Sequence, residues 1–216
     1  MNKIPTNLLD GYEIFRRGRF LSERERYHEL AELGQTPDTM VIACCDSRAA
    51  PEIIFNALPG EIFVLRNVAN IVPPYQPDGE HHSTSAALEF AVQSLKVKNI
   101  VVLGHGRCGG IRAALDPAAE PLSPGDFIGT WMDLLAPAAE AISGNKWLTD
   151  SERQTALERI SIRHSIENLR TFPCISILED RDRLQLHGMW FDISTGELWI
   201  MDSDSGDFFC QPHDQK

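Results

Sequence analysis

The sequence predicts an α/β fold: a central, mostly parallel β-sheet with an antiparallel edge hairpin, helices on both faces and a helical N-terminal arm. Three observations carry this expectation. Short apolar runs at 39–43 and 100–103 show no alternation, as strands covered on both faces do. Segments with apolar residues at helical spacing separate the strand-like runs. Two late strand-like runs flank Thr195-Gly196, a pair suited to a tight turn.

The elements follow in order. Residues 7–33 set Leu8, Leu9, Tyr12, Phe15, Phe20, Leu21, Tyr27, Leu30 and Leu33 at helical spacing among charges, and Gly34 supplies a stop. Residues 1–34 are therefore expected as a helical arm of one domain spanning 1–216. The first strand, 39–43, lies between Pro37 and Asp46, and a second, 61–66, follows Pro59-Gly60. Ser83 and Thr84 are N-cap candidates for a helix with Ala87, Leu88, Ala91, Val92 and Leu95 on one face. After the third strand, 100–103, helical sequence runs from Gly109, over 126–143 and over 151–170. Cys174-Ile175-Ser176-Ile177-Leu178 reads as a fourth strand, and 184–191 with 197–201 as the terminal hairpin. Strands alternating with helices, then a hairpin, are the pattern of a parallel sheet with an antiparallel edge.

Composition narrows the function. The 216 residues suit one domain, at about 150 residues per domain, and can bury a core without disulfides or a structural metal. Twenty Lys and Arg against 31 Asp and Glu give a net charge of −11, which is not the footprint of a nucleic-acid binder. Arg16-Arg17-Gly18-Arg19, soon followed by Glu23 and Glu25, reads as a solvated helix face rather than a membrane patch. No stretch approaches the roughly 18 apolar residues of a membrane span, and residues 1–5 lead into polar helical sequence without a signal core. The expected location is cytoplasmic, in a reducing compartment where stable disulfides are rare. There the odd set Cys44, Cys45, Cys108, Cys174 and Cys210 fits thiols or metal ligands better than a disulfide scaffold.

In open parallel sheets, ligands gather at the carboxyl ends of strands. One predicted strand runs into Cys44-Cys45-Asp46-Ser47-Arg48, another into Gly104-His105-Gly106-Arg107-Cys108-Gly109-Gly110. His105 and Cys108, three apart at a strand-to-helix turn, can share one ion, with Cys44 as a third ligand from the neighbouring strand. A Cys2His set leaves one corner of a zinc tetrahedron free, as a catalytic site requires. Asp46 falls on the same side of the chain as Cys44, and Arg48 can bracket it. Two thiolates cancel the charge of Zn²⁺ and make its water less acidic, so an ionised carboxylate that orients hydroxide has a role there, and the arginine keeps it ionised.

Cys44-x-Asp46-Ser47-Arg48 with His105-x-x-Cys108-Gly109-Gly110 resembles the paired signature of β-class carbonic anhydrases. The resemblance extends through Pro59-Gly60-Glu61, Arg66-Asn67-Val68-Ala69-Asn70, Val72-Pro73-Pro74, the stretch from Ala86 to Val92, and the hairpin near His187-Gly188 and Leu198-Trp199. It implies one Zn²⁺ per chain on Cys44, His105 and Cys108, with Asp46 and Arg48 as a catalytic dyad. It further implies reversible hydration of carbon dioxide to bicarbonate and a proton by metal-bound hydroxide, in a homodimer or a homo-oligomer of dimers. Gln35, Phe63, Phe90 and the Gly109 N–H match the family's substrate pocket, usually completed across a dimer interface. Phe90 stands where plant-like members often carry Tyr, which removes a pocket hydroxyl. Val41 stands where a bicarbonate-inhibited subgroup carries Trp. The chain thus resembles the subgroup without that regulation, and a closed state with Asp46 as fourth ligand is disfavoured.

Other readings compete. Gly104-x-Gly106-x-x-Gly109 also satisfies a dinucleotide-binding fingerprint, but Glu120 and Asp126 sit in non-strand sequence and Cys44 and Asp46 go unexplained. Asp202-Ser203-Asp204-Ser205-Gly206-Asp207 starts like a calcium loop with its glycine misplaced, and reads as a polar turn. A hydrolase of a related heterocumulene, COS or CS2, would use the same hydroxide. A non-enzymatic zinc or thiol module would leave Asp46 and Arg48 without work.

Overall fold

The computed structural model describes residues 4–116, 118 and 120–212. Six strands form one sheet: β1 (Thr39–Cys44), β2 (Ile62–Asn67), β3 (Asn99–His105), β4 (Gln185–Phe191), β5 (Leu198–Met201) and β6 (Phe208–Cys210). Their spatial order is β2-β1-β3-β4-β5-β6. The first four run parallel and the last two antiparallel, as the late hairpin predicts.

The sheet's two faces divide the apolar runs residue by residue. Met40, Ile42, Ile100 and Val102 point into the larger core, under α5 (Ser83–Glu89) with its wider-pitched continuation Phe90–Leu95, α9 (Asp150–Arg170) and α10 (Pro173–Glu179). Val41, Ala43, Val101 and Leu103 point the other way, onto Ile54 and Phe55 at the end of α4 (Pro51–Ile54). A third cluster sits at the carboxyl end of the strands, where Cys44, Cys108 and Ile111 pack with Met132, Leu135 and Leu157. The last four come from α6 (Gly109–Ala114), α7 (Phe127–Met132), the 3₁₀ turn leading into α8 (Ala136–Ser143), and α9. The strand ends that carry the chemistry therefore have their own floor.

Two glycines let α9 lie against the sheet. A Cβ at Gly104 would come within 2.7 Å of Ile162 Cδ1, and one at Gly188 within 2.9 Å of Ile162 Cγ2. The helix begins with a capping box: Thr149 Oγ1 accepts from the Glu152 N–H, and the Glu152 carboxylate accepts from the Thr149 N–H.

Three expectations are corrected. Cys174–Leu178 is not a strand but lies within α10. Pro173 at the first helical position favours the helix, and burial of Phe172 and Ile175, three apart, follows a helical face. The fourth parallel strand is β4. The stretch 7–33 is three helices, α1 (Thr6–Arg17), α2 (Arg19–Ser22) and α3 (Arg24–Leu33), broken at Gly18 and Glu23. Gly34 does end it, at φ +80°. Neither Ser83 nor Thr84 caps α5: His82 holds that position, and Thr84 is buried beside Asn67.

Candidate metal centre

Cys44 ends β1 and His105 ends β3, its neighbour in the sheet, so the ladder between them sets their separation. Cys108 comes from the turn that follows, where Arg107 takes φ +58° and reverses the chain into α6. All three side chains are buried, and their ligand atoms lie within 4.8 Å of one another. The two sulfurs are 3.9 Å apart. Two thiolates on one tetrahedral zinc, each about 2.3 Å from it, would stand about 3.8 Å apart.

The imidazole tests the fit independently. His105 Nδ1 lies 2.9 Å from the Gly106 carbonyl and donates to it, which leaves the lone pair on Nε2. Nε2 is buried and has no hydrogen-bond partner. A buried acceptor without a donor is costly unless a cation takes it. The donor set suits zinc.

The three ligand groups are electrostatically coupled to one another. A Cys108 thiol donating to Cys44 pulls the Cys44 thiol down and is itself held up, so the pair keeps one sulfur ionised. Burial opposes protonation of His105 most strongly, but Cys44, the Gly106 carbonyl and the Asp46 charge together move the imidazole upward.

Asp46 stands outside the ligand triangle. Arg48 grips it bidentately, Nε to Oδ1 at 2.9 Å and Nη2 to Oδ2 at 2.7 Å, and the Arg48 N–H adds a third bond to Oδ1. These bonds hold the Asp46 carboxyl well below the usual carboxylate range. Both Asp46 oxygens are thus engaged by Arg48. Arg48 Nη2 also reaches the Arg107 carbonyl at 3.4 Å, tying the two loops together.

The residues expected to line the pocket fall in three places. Gly109, beside Cys108, opens α6, where its N–H has no intrahelical acceptor. Phe63 and Phe90 pack on each other, ring centroids 5.8 Å apart, with Phe90 49% exposed. Because Cys44 pairs with Asn67, Phe63 lies four residues, about 13 Å, down the strand from the ligands. Gln35 is exposed in the connection between α3 and β1. Cys45 points outward, away from the triangle.

Sequence reasoning missed several supporting groups. Arg66 of β2 donates to the Cys44 carbonyl at 2.8 Å and the Asp46 carbonyl at 2.7 Å, fixing the first loop. Ala69, at φ +62°, aims its N–H at Cys44 Sγ, 3.4 Å away. Glu158, 2% exposed, accepts from the Cys108 N–H, Gln154 and the Trp190 indole. Burial pushes its carboxyl upward against the pull of those donors. Only the burial of Glu158 singles it out, and helical spacing alone does not reveal that burial.

Strand-end thiolates and an imidazole with one open corner, beside an ionised carboxylate, define a metal-dependent enzyme of the α/β class that activates water. The family model described as carbonic anhydrase matches residues 39–198. A carbonic anhydrase of Pseudomonas aeruginosa is 35% identical over 202 residues, covering 94% of this chain and 90% of its own length. The solved β-carbonic anhydrase CcaA superposes with a TM-score of 0.87 at 29% identity, over 97% of this chain and 92% of that one. One of two tetrameric β-carbonic anhydrases of Sordaria macrospora gives 0.70 at 30% identity, over 91% and 92%. The chain belongs to the carbonic anhydrase family, in its β class.

Proposed function

We propose that the chain catalyses CO2 + H2O ⇌ HCO3⁻ + H⁺ at a zinc ion held by Cys44, His105 and Cys108. The observation that carries the reading is the buried ligand triangle with His105 Nε2 free, beside an Asp46 carboxylate locked by Arg48. Zinc there would act as a Lewis acid that makes water nucleophilic near neutral pH. Asp46 accepts a hydrogen bond from the attacking water and turns a lone pair toward the carbon of CO2. Arg48 keeps Asp46 ionised and fixed. The Gly109 N–H donates to a substrate oxygen. The −11 charge neither draws nor repels a neutral substrate.

Phe63, Phe90 and Gln35 lie too far down-strand or outside to complete this pocket within one protomer, so they serve the site of a second copy. That reading is supported by arm helices α1–α3, which bury no residue and expose Leu8, Leu9, Tyr12 and Ile14. The active unit is thus a homodimer or an assembly of dimers, with 1–216 acting as one domain. Among the described residues no helix is long and apolar enough to cross a membrane, and five unpaired cysteines suit the cytoplasm.

Zinc content and stopped-flow CO2 hydration, measured together on wild type and Cys108→Ser, test the reading. Wild type should carry one zinc per chain and hydrate CO2, and Cys108→Ser should lose both. A zinc-loaded wild type that is inactive at alkaline pH, or that turns over COS far faster than CO2, overturns it.

A further inference from the structure

Of the three ligand residues, Cys108 is the least secured by its own element. Cys44 and His105 sit at the ends of ladders that neighbouring strands hold in register. Cys108 follows a residue in the left-handed region and precedes the first turn of a six-residue helix, so no ladder fixes its backbone. Its carbonyl accepts the first bond of α6, from the Arg112 N–H at 3.0 Å, and the rest of its backbone bonding comes from α9. Glu158 Oε1 accepts from the Cys108 N–H at 3.0 Å, and Gln154 Nε2 donates to the Cys108 carbonyl at 3.1 Å. Gln154 Nε2 also donates to Glu158 Oε1 at 3.0 Å, closing a triangle around one residue. Spaced four apart, the two side chains leave α9 on one face.

Glu158 is anchored in turn. Its second oxygen accepts from Trp190 Nε1 at 3.1 Å. The Trp190 ring lies under Gly106, where a Cβ would come within 3.1 Å of it, and the Gly106 N–H donates to the Phe191 carbonyl at 2.8 Å. A carboxylate 2% exposed carries a large desolvation cost, offset here because every neighbour donates and none accepts. An apolar residue would spare that cost but leave the Cys108 N–H buried and unpaired.

We propose that Glu158 and Gln154 are positioning residues for the metal centre: together they clamp the Cys108 backbone so that its sulfur stays in the ligand triangle. The assignment rests on the zinc reading above, and neither residue touches the substrate. Outer partners of metal ligands characteristically govern affinity as much as activity.

The test uses the full-length protein and reads the metal directly. Zinc affinity is measured by competition with a chromophoric chelator, and ligand geometry by the thiolate charge-transfer bands of the Co(II)-substituted protein. Glu158→Gln is nearly isosteric, but its amide must set a donor against at least one of three donors. It should weaken zinc binding about 10- to 100-fold and alter the Co(II) bands. Gln154→Leu, at a half-buried position, should weaken it about tenfold with little change in Tm. Leu169→Val, about three turns further along α9, should lower Tm while leaving affinity and spectrum as in wild type; this separates a clamp from general loosening of the helix. Zinc affinities of Glu158→Gln and Gln154→Leu within twofold of wild type overturn the assignment. If Glu158→Gln does not fold, Gln154→Leu decides alone. A wild type that binds no zinc overturns the metal reading itself, and the clamp with it.

Discussion

Asp46 and the three ligands should fail differently. Asp46→Asn removes the charge that orients water but no ligand, so zinc should stay bound while kcat/KM for CO2 falls about 10²- to 10³-fold. Metal analysis beside stopped-flow rates checks both halves. Arg48→Ala has a different signature. Wild-type Asp46 is held well below the usual carboxylate range by Arg48 and therefore stays ionised through mildly acidic pH. Without Arg48 its pKa returns toward ordinary carboxylate values. The active, ionised form is then lost at a higher pH, so below the titration of the metal-bound water the pH–rate profile should gain a second, steeper fall that the wild type lacks. A variant profile with the same acid foot as wild type would mean that Arg48 does not hold Asp46 ionised in solution. At this scale the triangle and the dyad were legible, because chemistry needs those residue types at those spacings. Arg66, Gln154 and Glu158 were not. A side chain that bonds a loop's backbone from another element leaves no local pattern, and Glu158 reads from sequence as one more polar position on an amphipathic helix.

At the scale of elements, α9 is the beam on which the site rests, and two of its contacts can be tested. Thr149→Ala removes the capping box and should cost about 1 kcal/mol, seen as a Tm lower by about 2–4 °C. The Thr149 N–H first, and its hydroxyl second, hold the Glu152 carboxyl below its ordinary value, and the variant loses only the hydroxyl's share. That contribution is present above the unfolded-state pKa and is lost as pH falls through the folded one. The Tm difference between variant and wild type should therefore shrink in acid. Where α9 crosses the sheet, Gly104→Ala would press a methyl onto Ile162 Cδ1 and should cost about 1–3 kcal/mol. Ile162→Val deletes that carbon. A double-mutant cycle by denaturant unfolding should therefore show the pair costing less than the sum of the singles. The elements also show where sequence reading stops. The strands at 39–44 and 99–105 were legible because apolar runs of that length flanked by turns are buried strands. Residues 174–178 have the same composition, and only Pro173 and the surrounding burial turn them into a helix.

The whole molecule carries one further expectation. In the proposed dimer, helices α1–α3, which bury no residue of their own, supply the interface. Leu8→Ser with Tyr12→Ser should shift sedimentation toward monomer and lower CO2 hydration with it, because Phe63, Phe90 and Gln35 would no longer reach a neighbouring site. Full activity in a monomer would return those residues to ordinary packing roles. Order along the chain adds a consequence of the stack that holds Trp190. Arg159 lies 4.7 Å from the Trp190 ring centre, 4.5 Å from that of Trp199 and 5.5 Å from that of Phe208. The last of the three ligands is residue 108, yet the indole that anchors Glu158 is residue 190 and the rings that brace it come later still. During synthesis the ligands thus emerge long before their support does. If Glu158 clamps the centre as proposed, a nascent chain would present both thiols and the imidazole early and would hold metal firmly only once its final strands had closed over Arg159.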